Sequence, residues 1–377
     1  MKKLLIFVMT VIGFSQVAFA TDLWVVSGSN IAAKYADIGV GVRASAMGNA
    51  DVALSSGPEA IFENPANTSQ LANESSLMLS HNSWFGDTNQ ETLGYVRDGM
   101  GLGTFGIAVS YINEGKINAY SVDPQGNPVK IGDISPYAMI AKLNWSKLVF
   151  EGIYAGLNIN YIREDIGGTV SQMGTFDVGM KYLTPVNGLS LGIAARNMGI
   201  QIDGFDVYRD LTIGAGYKLY TNNSDVLNLA FDCGLPAGGG VNASFGAEYG
   251  FSKMFFIRAG YQYDRTEPAG LKDLRAGLGL NYNMFSLDYA FEPYGDLGVT
   301  NKISLSYQFG SQEAPKPVEV IKVTTQEKTI SKTVKKTPGK TVEKIQVDTK
   351  KKTVTKVIAK QTTVPVSTPT PVPVKGK

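Results

Sequence analysis

Three stretches near the end of the chain decide the fold: Leu274-Arg-Ala-Gly-Leu-Gly-Leu-Asn-Tyr282, Phe285-Ser-Leu-Asp-Tyr-Ala-Phe-Glu292 and Ile303-Ser-Leu-Ser-Tyr-Gln-Phe309. In each, one parity is apolar and the other is small, polar or charged. Side chains of a strand point alternately to its two faces, so each stretch reads as a strand with one apolar and one polar face. The same alternation recurs in about fourteen segments, from one centred near Leu79 to one near Leu305.

A soluble sandwich also alternates, and three further features separate the two cases. The segments run about nine to eleven residues, enough for a tilted strand to cross a bilayer. The apolar parity often ends in an aromatic residue, as at Tyr111, Tyr161, Tyr249, Tyr263, Tyr282 and Phe309, which suits interfacial girdles. Connections alternate between short (Thr184–Gly188, Gly250–Lys253, the Asn283 corner) and long (Asn113–Ile134, Glu164–Gln172, Asn197–Tyr208, Asp264–Leu271, Glu292–Thr300). The expected fold is an all-β, fourteen-stranded antiparallel transmembrane barrel. An even strand count puts both barrel ends on the short-turn, periplasmic side.

The polar parity is expected to face the lumen. It carries Lys142, Lys181, Arg196, Lys218, Arg258 and Arg275 against Asp177, Asp232, Glu248, Asp288 and Glu292. A pore selective for one sign of charge would be biased, so this balance points to side chains paired with one another or with a plug. Many lumen positions are glycine: Gly106, Gly179, Gly192, Gly214, Gly216, Gly246, Gly277 and Gly279. They either leave room for an inserted segment or ease the curvature of the wall.

Composition excludes several kinds of chemistry. The 377 residues include one cysteine and one histidine, so no internal disulfide and no common structural zinc site can form. His81 alone would have to serve a Ser-His-Asp mechanism, and no carboxylates stand out as an acid/base pair; no catalytic residue, metal or cofactor is assigned. Cys233 shares the apolar parity of Leu229 and Phe231 and is expected to face lipid. Lys2 and Lys3, the apolar run to Phe14 and Ala18-Phe19-Ala20 form a secretory signal peptide, residues 1–20. Residues 21–74 are rich in small side chains, residues 75–312 hold the strands, and residues 313–377 form a Lys/Thr/Pro-rich tail without aromatics.

The tail has fifteen lysines and five acids, about +10, and is expected to be disordered because it cannot bury enough apolar surface. The whole chain carries only +2, so the rest of the mature protein is about −10. A basic periplasmic tail suits peptidoglycan carboxylates or a periplasmic or secreted protein as partner, and an exported chain does not meet nucleic acid.

Ahead of the strands lies Gly39-Val-Gly41-Val-Arg43-Ala-Ser-Ala-Met47-Gly48-Asn-Ala50, followed by Asn64-Pro65-Ala66. No G-K-[ST] follows the glycines, which excludes a phosphate loop. This pattern resembles that of the PorV/PorQ-like outer-membrane proteins, which belong with the FadL-like barrels. The resemblance covers residues 39–72. It implies a hatch inside a fourteen-stranded outer-membrane barrel, carried by Gly39, Gly41, Arg43, Met47, Gly48, Asn64, Pro65 and Ala66. The last strand also resembles the signal read by the outer-membrane assembly machinery. Two functions follow as expectations, neither enzymatic. The first is a secretion-associated or envelope scaffold whose tail binds cell wall or partners. The alternative is FadL-like transport of hydrophobic small molecules.

Overall fold

The computed structural model describes residues 31–71, 74–199, 206–220, 224–237, 240–264, 273–310, 322–337 and 340–355. The signal peptide and the ends of the tail lie outside the described residues. Fourteen strands close a barrel. They are β1 (Ser75–Ser83), β2 (Asn89–Asp98), β3 (Thr104–Asn113), β4 (Tyr137–Phe150), β5 (Ile153–Ile166), β6 (Thr169–Leu183) and β7 (Leu189–Met198). The second half is β8 (Asp210–Tyr220), β9 (Val226–Pro236), β10 (Asn242–Phe251), β11 (Phe255–Asp264), β12 (Leu274–Tyr282), β13 (Phe285–Pro293) and β14 (Val299–Phe309). Each strand pairs antiparallel with its sequence neighbours, and β14 closes on β1 through Leu305 opposite Leu79. Closure leaves no open edge, which a hydrocarbon surround requires.

The outward parity is an exposed band of large apolar residues. Ile107, Ile159, Ile257 and Leu278 are 50–63% exposed, while inward neighbours such as Asn158, Asp177 and Ser110 are buried. That inversion of the usual soluble pattern is what a wall facing lipid needs. Rings gather at the short-turn end of the wall: Tyr307 stacks on Phe309 at 5.5 Å, and Phe285 lies 4.8 Å from Tyr307.

Three connections differ from expectation. The segment Glu164–Gln172 is not a loop. β5 and β6 continue to a two-residue turn at Gly167-Gly168, both with positive φ, so β4, β5 and β6 reach 14, 14 and 15 residues. Two adjacent glycines supply the left-handed backbone that a tight hairpin turn demands, and this outweighs the polar composition around them. The connection Asn113–Ile134 holds a hairpin of its own, Ile117–Val122 paired with Pro128–Ile134. Strand β13 runs to Pro293 and β14 starts at Val299, which shortens the expected Glu292–Thr300 loop.

The tail forms a separate unit. In it, Lys322–Thr337 and Lys340–Thr355 pair antiparallel over sixteen residues, with Thr337 opposite Lys340. The alternation of Val and Ile with Thr and Lys suits this strand pairing within a tail that has little apolar surface to bury. The remaining tail residues lie outside those described.

Candidate functional site

The lumen is filled by the N-terminal segment. Its chain enters at the long-loop mouth, where Ile31–Ala32 pairs with Asp206–Val207. It then descends through helix α1 (Val42–Ala46), a Gly57–Glu59 turn, helix α2 (Ala60–Glu63) and a 3-10 turn, Pro65–Ser69. It leaves at the short-turn end, where β1 begins. Small side chains let it lie flat on the wall: Ala44, Ala46, Ala50, Ala53, Ala60 and Ala66 are all buried.

The lumen glycines mark where this plug touches. A methyl at Gly246 would meet Met47 Cβ at 2.7 Å, and one at Gly106 would meet Ile61 at 2.9 Å. Methyls at Gly179, Gly192, Gly216 and Gly277 would fall on Asn64, Val52, Leu54 and Ala46, and one at Gly214 would strike Val52 as well as its wall neighbour Asp232. Of the eight glycines singled out by parity, only Gly279 faces wall side chains instead, Asp288 and Arg258. Room for an inserted segment therefore explains these glycines. Gly260 and Gly156, which parity reading passed over, meet the backbone of Gly48 and of Pro65-Ala66.

Each residue of the N-terminal motif has a definite place. The Gly39 carbonyl accepts from Lys302 Nζ at 2.9 Å. Gly41 leaves space for the Glu59 and Glu63 carboxylates. Arg43 donates from Nε and Nη2 to the two oxygens of Glu248 at 2.9 and 3.0 Å, and from Nη1 to Asp51. Met47 packs with Ala50, Leu54 and Ala230. Gly48, at φ +69, lets the chain turn against Tyr261. Asn64 Nδ2 donates to the carbonyls of Val52 (2.9 Å) and Met180 (3.2 Å), while its Oδ1 accepts from Ala66 N–H. Pro65 lies against Gly156 and Gly179.

Most of the lumen charges are paired, as groups removed from water must be. Lys142 meets Asp177 at 2.7 Å, and Arg258 meets both Glu248 and Asp288 at 2.6 Å. Arg196 binds Asp210 at 2.6 Å and reaches Glu63 of the plug at 3.3 Å. Arg275 and Lys302 share Glu292, each at 2.8 Å. Asp232 accepts two plug N–H groups, of Asp51 and Val52, at 2.8 Å. Lys181 donates to Gln70 at 2.7 Å, and Lys218 is exposed. Between β6 and β7 the register slips at Ala195–Met198. In this bulge Asn197 turns to φ +55 and donates its N–H to Asp177.

Several partners escaped the sequence reading. Asp51 within the plug, and Lys302, Asn144 and Asn158 on the wall, hold the plug in place, while Asn160 donates to the wall carboxylate of Asp177. Asn158 Nδ2, for example, donates to the Ile61 carbonyl at 2.7 Å. For the strand residues the only signal was inward parity, and Asp51, in the plug, had none. Two other residues need comment. Cys233 has the outward parity but is 7% exposed, because Leu189, Ala215, Tyr217 and Phe231 pack around it. His81 also points outward and pairs with Glu91 at 2.7 Å.

The plug separates two open spaces. Toward the long loops lies a vestibule of about 720 Å³. Trp84, Phe85 and Tyr294 form one wall, with ring centroids 4.7–6.0 Å apart. Its floor is the Arg275–Glu292–Lys302 triad beside Gly39 and Asn49 of the plug. Toward the short turns lies a space of about 220 Å³, lined by Arg43, Glu59, Gln70, Glu248, Arg258 and Asp288 among others.

Among solved structures, this fold is similar to that of the toluene transporter TodX of Pseudomonas putida. The TM-score is 0.54 at 13% identity, over 76% of this chain and 99% of that one. It is also similar to the toluene transporter TbuX of Ralstonia pickettii, with TM-score 0.51 and 14% identity over 72% of this chain and 98% of that one. At this identity the likeness is one of fold. No protein-family model matches the chain, and no curated protein matches it significantly. The fold is that of a bacterial outer-membrane barrel.

Proposed function

We propose that the protein is a plug-gated channel that takes up small, largely apolar molecules across the outer membrane. The vestibule carries this reading. It stands at the outer mouth, it has the size of a small-molecule pocket, and the rings of Tyr35, Trp84, Phe85 and Tyr294 line it above a buried plug. The likeness in fold to two toluene transporters supports the same reading, and supports it better than the secretion scaffold first suggested by the N-terminal motif. A ligand held against Trp84 and Tyr294 would wait there until the plug yields. The test is uptake of a naphthylamine dye by whole cells whose outer leaflet is otherwise intact. Faster uptake with the protein than without it, reduced by W84A/Y294A, is the expected result. Equal uptake with and without the protein contradicts the reading.

A second reading concerns the tail and is favoured by its hairpin. The span 322–355 carries ten lysines against three acids, on a ribbon of roughly 50 Å at the usual rise per residue. Such a ribbon suits the carboxylates of the cell wall and would tether the barrel to it.

A further inference from the structure

The plug's acids outnumber its cations, and among the described residues Glu59, at its centre, makes no ion pair. Glu59 and Glu63 both bring an oxygen within 3 Å of the point a methyl on Gly41 would occupy, so the two carboxylates converge. Glu63 is answered by Arg196. Arg43, whose charge interacts with that of Glu59, is already committed to Asp51 and Glu248. Among the described residues, Glu59 itself receives only the N–H of Ala44, at 3.1 Å. The charged groups facing it are Arg43, Asp51 and Glu63 on the plug and Glu248, Arg258 and Asp288 on β10, β11 and β13. Its turn also packs on β1, β2 and β3, which present the uncharged Ser76, Met78, Gly94 and Gly106 to this part of the plug. That is four acids against two cations, before Glu59 adds its own charge.

Carboxylates this close cannot all ionise without cost, and one proton relieves the crowding. Glu59 is half-buried and lines the lower space, so water at the short-turn end supplies or removes that proton. We infer that Glu59 is a proton-operated latch, which holds the plug docked when protonated and loosens it when ionised. This rests on the plug-gating reading above and adds a control to it.

The chemistry fixes the direction. Burial first, and then the Asp51 and Glu63 charges, push the Glu59 carboxyl up to about 8. A raised carboxyl makes the docked form hold a proton that the released form has lost. Docking is therefore strongest below the pH at which a free glutamate titrates. It weakens as pH rises through that range and stops changing above about 8. One linked proton makes docking weaker by roughly fifty-fold between pH 6 and pH 8.

The test is hydrogen exchange of the plug amides in the full-length barrel, referenced at each pH to amides of β12 and β13 in the same molecule. This ratio removes the intrinsic pH dependence of exchange. In the native chain the plug-to-wall ratio should rise tens-fold from pH 6 to pH 8. In Glu59→Gln, which keeps the acceptor for Ala44 but cannot ionise, most of that rise should vanish. A native ratio that stays flat from pH 6 to pH 8 overturns the latch even if the variant fails to fold. So does an equal rise in the variant. Plug release that tracks pH without any effect on dye uptake would leave the latch intact and remove the gating reading instead.

Discussion

Arg43 of the plug and Glu248 of the wall, 205 residues apart in sequence, meet through two parallel hydrogen bonds of 2.9 and 3.0 Å. The planar guanidinium matches both carboxylate oxygens, which a lysine at this position would not do. Glu248 is also held by Arg258, and Arg258 by Asp288. One contact therefore ties the plug into a charge network spanning β10, β11 and β13.

Replacing Arg43 with alanine removes the only plug cation in that network and leaves Asp51 buried without it. Breaking a buried pair in this way costs about 3–5 kcal/mol. The expected outcome is a folded barrel with a released plug, read as increased ionic conductance in planar bilayers. Conductance at the native level would contradict the assigned role. Arg43→Lys should fall between the two.

The lumen glycines give a steric version of the same test. A methyl at Gly260 would land on the Gly48 backbone, whereas one at Gly132, in the outer hairpin, meets nothing within 4 Å. Gly260→Ala should loosen the plug and raise conductance, and Gly132→Ala should leave it unchanged. Overpacking of this kind costs about 1–3 kcal/mol, enough to shift a docking equilibrium without unfolding the wall.

The barrel assignment has a separate check. Closed barrels resist detergent, so unboiled protein should migrate apart from boiled protein on SDS gels. Identical migration would argue against closure through β14 and β1.

For the tail, removal of residues 313–377 should abolish sedimentation with purified cell wall at low salt, and added salt should weaken it in the intact chain. Equal sedimentation with and without the tail would remove the tethering proposal.

Most of the wall was legible because strand parity is a strong signal. Phe285, Leu287, Tyr289 and Phe291 announce the lipid face, and the facing Ser286 and Asp288 announce the lumen. The plug was legible as small-residue composition, as lumen glycines and as the residue 39–72 motif, but not in its contacts. Nothing local tells that Gly246 receives Met47 or that Asp232 receives the N–H groups of Asp51 and Val52, because those contacts join distant segments. Loop length was the weakest part. Gly167-Gly168 turned an expected loop into two long strands, since a two-residue turn lets pairing continue to Ile166 and Thr169.

The central claim is that molecules pass only when the plug moves. Gly94 on β2 and Pro58 on the plug offer a place to test it, since a methyl at Gly94 would lie 2.9 Å from Pro58 Cβ. Disulfides need about 3.8 Å between such carbons, so a shift of about 1 Å admits one. In Gly94→Cys/Pro58→Cys, with Cys233→Ser to leave a single pair, dye uptake should stop on oxidation and return on reduction. Uptake at the same rate in the oxidised and reduced states would contradict the account.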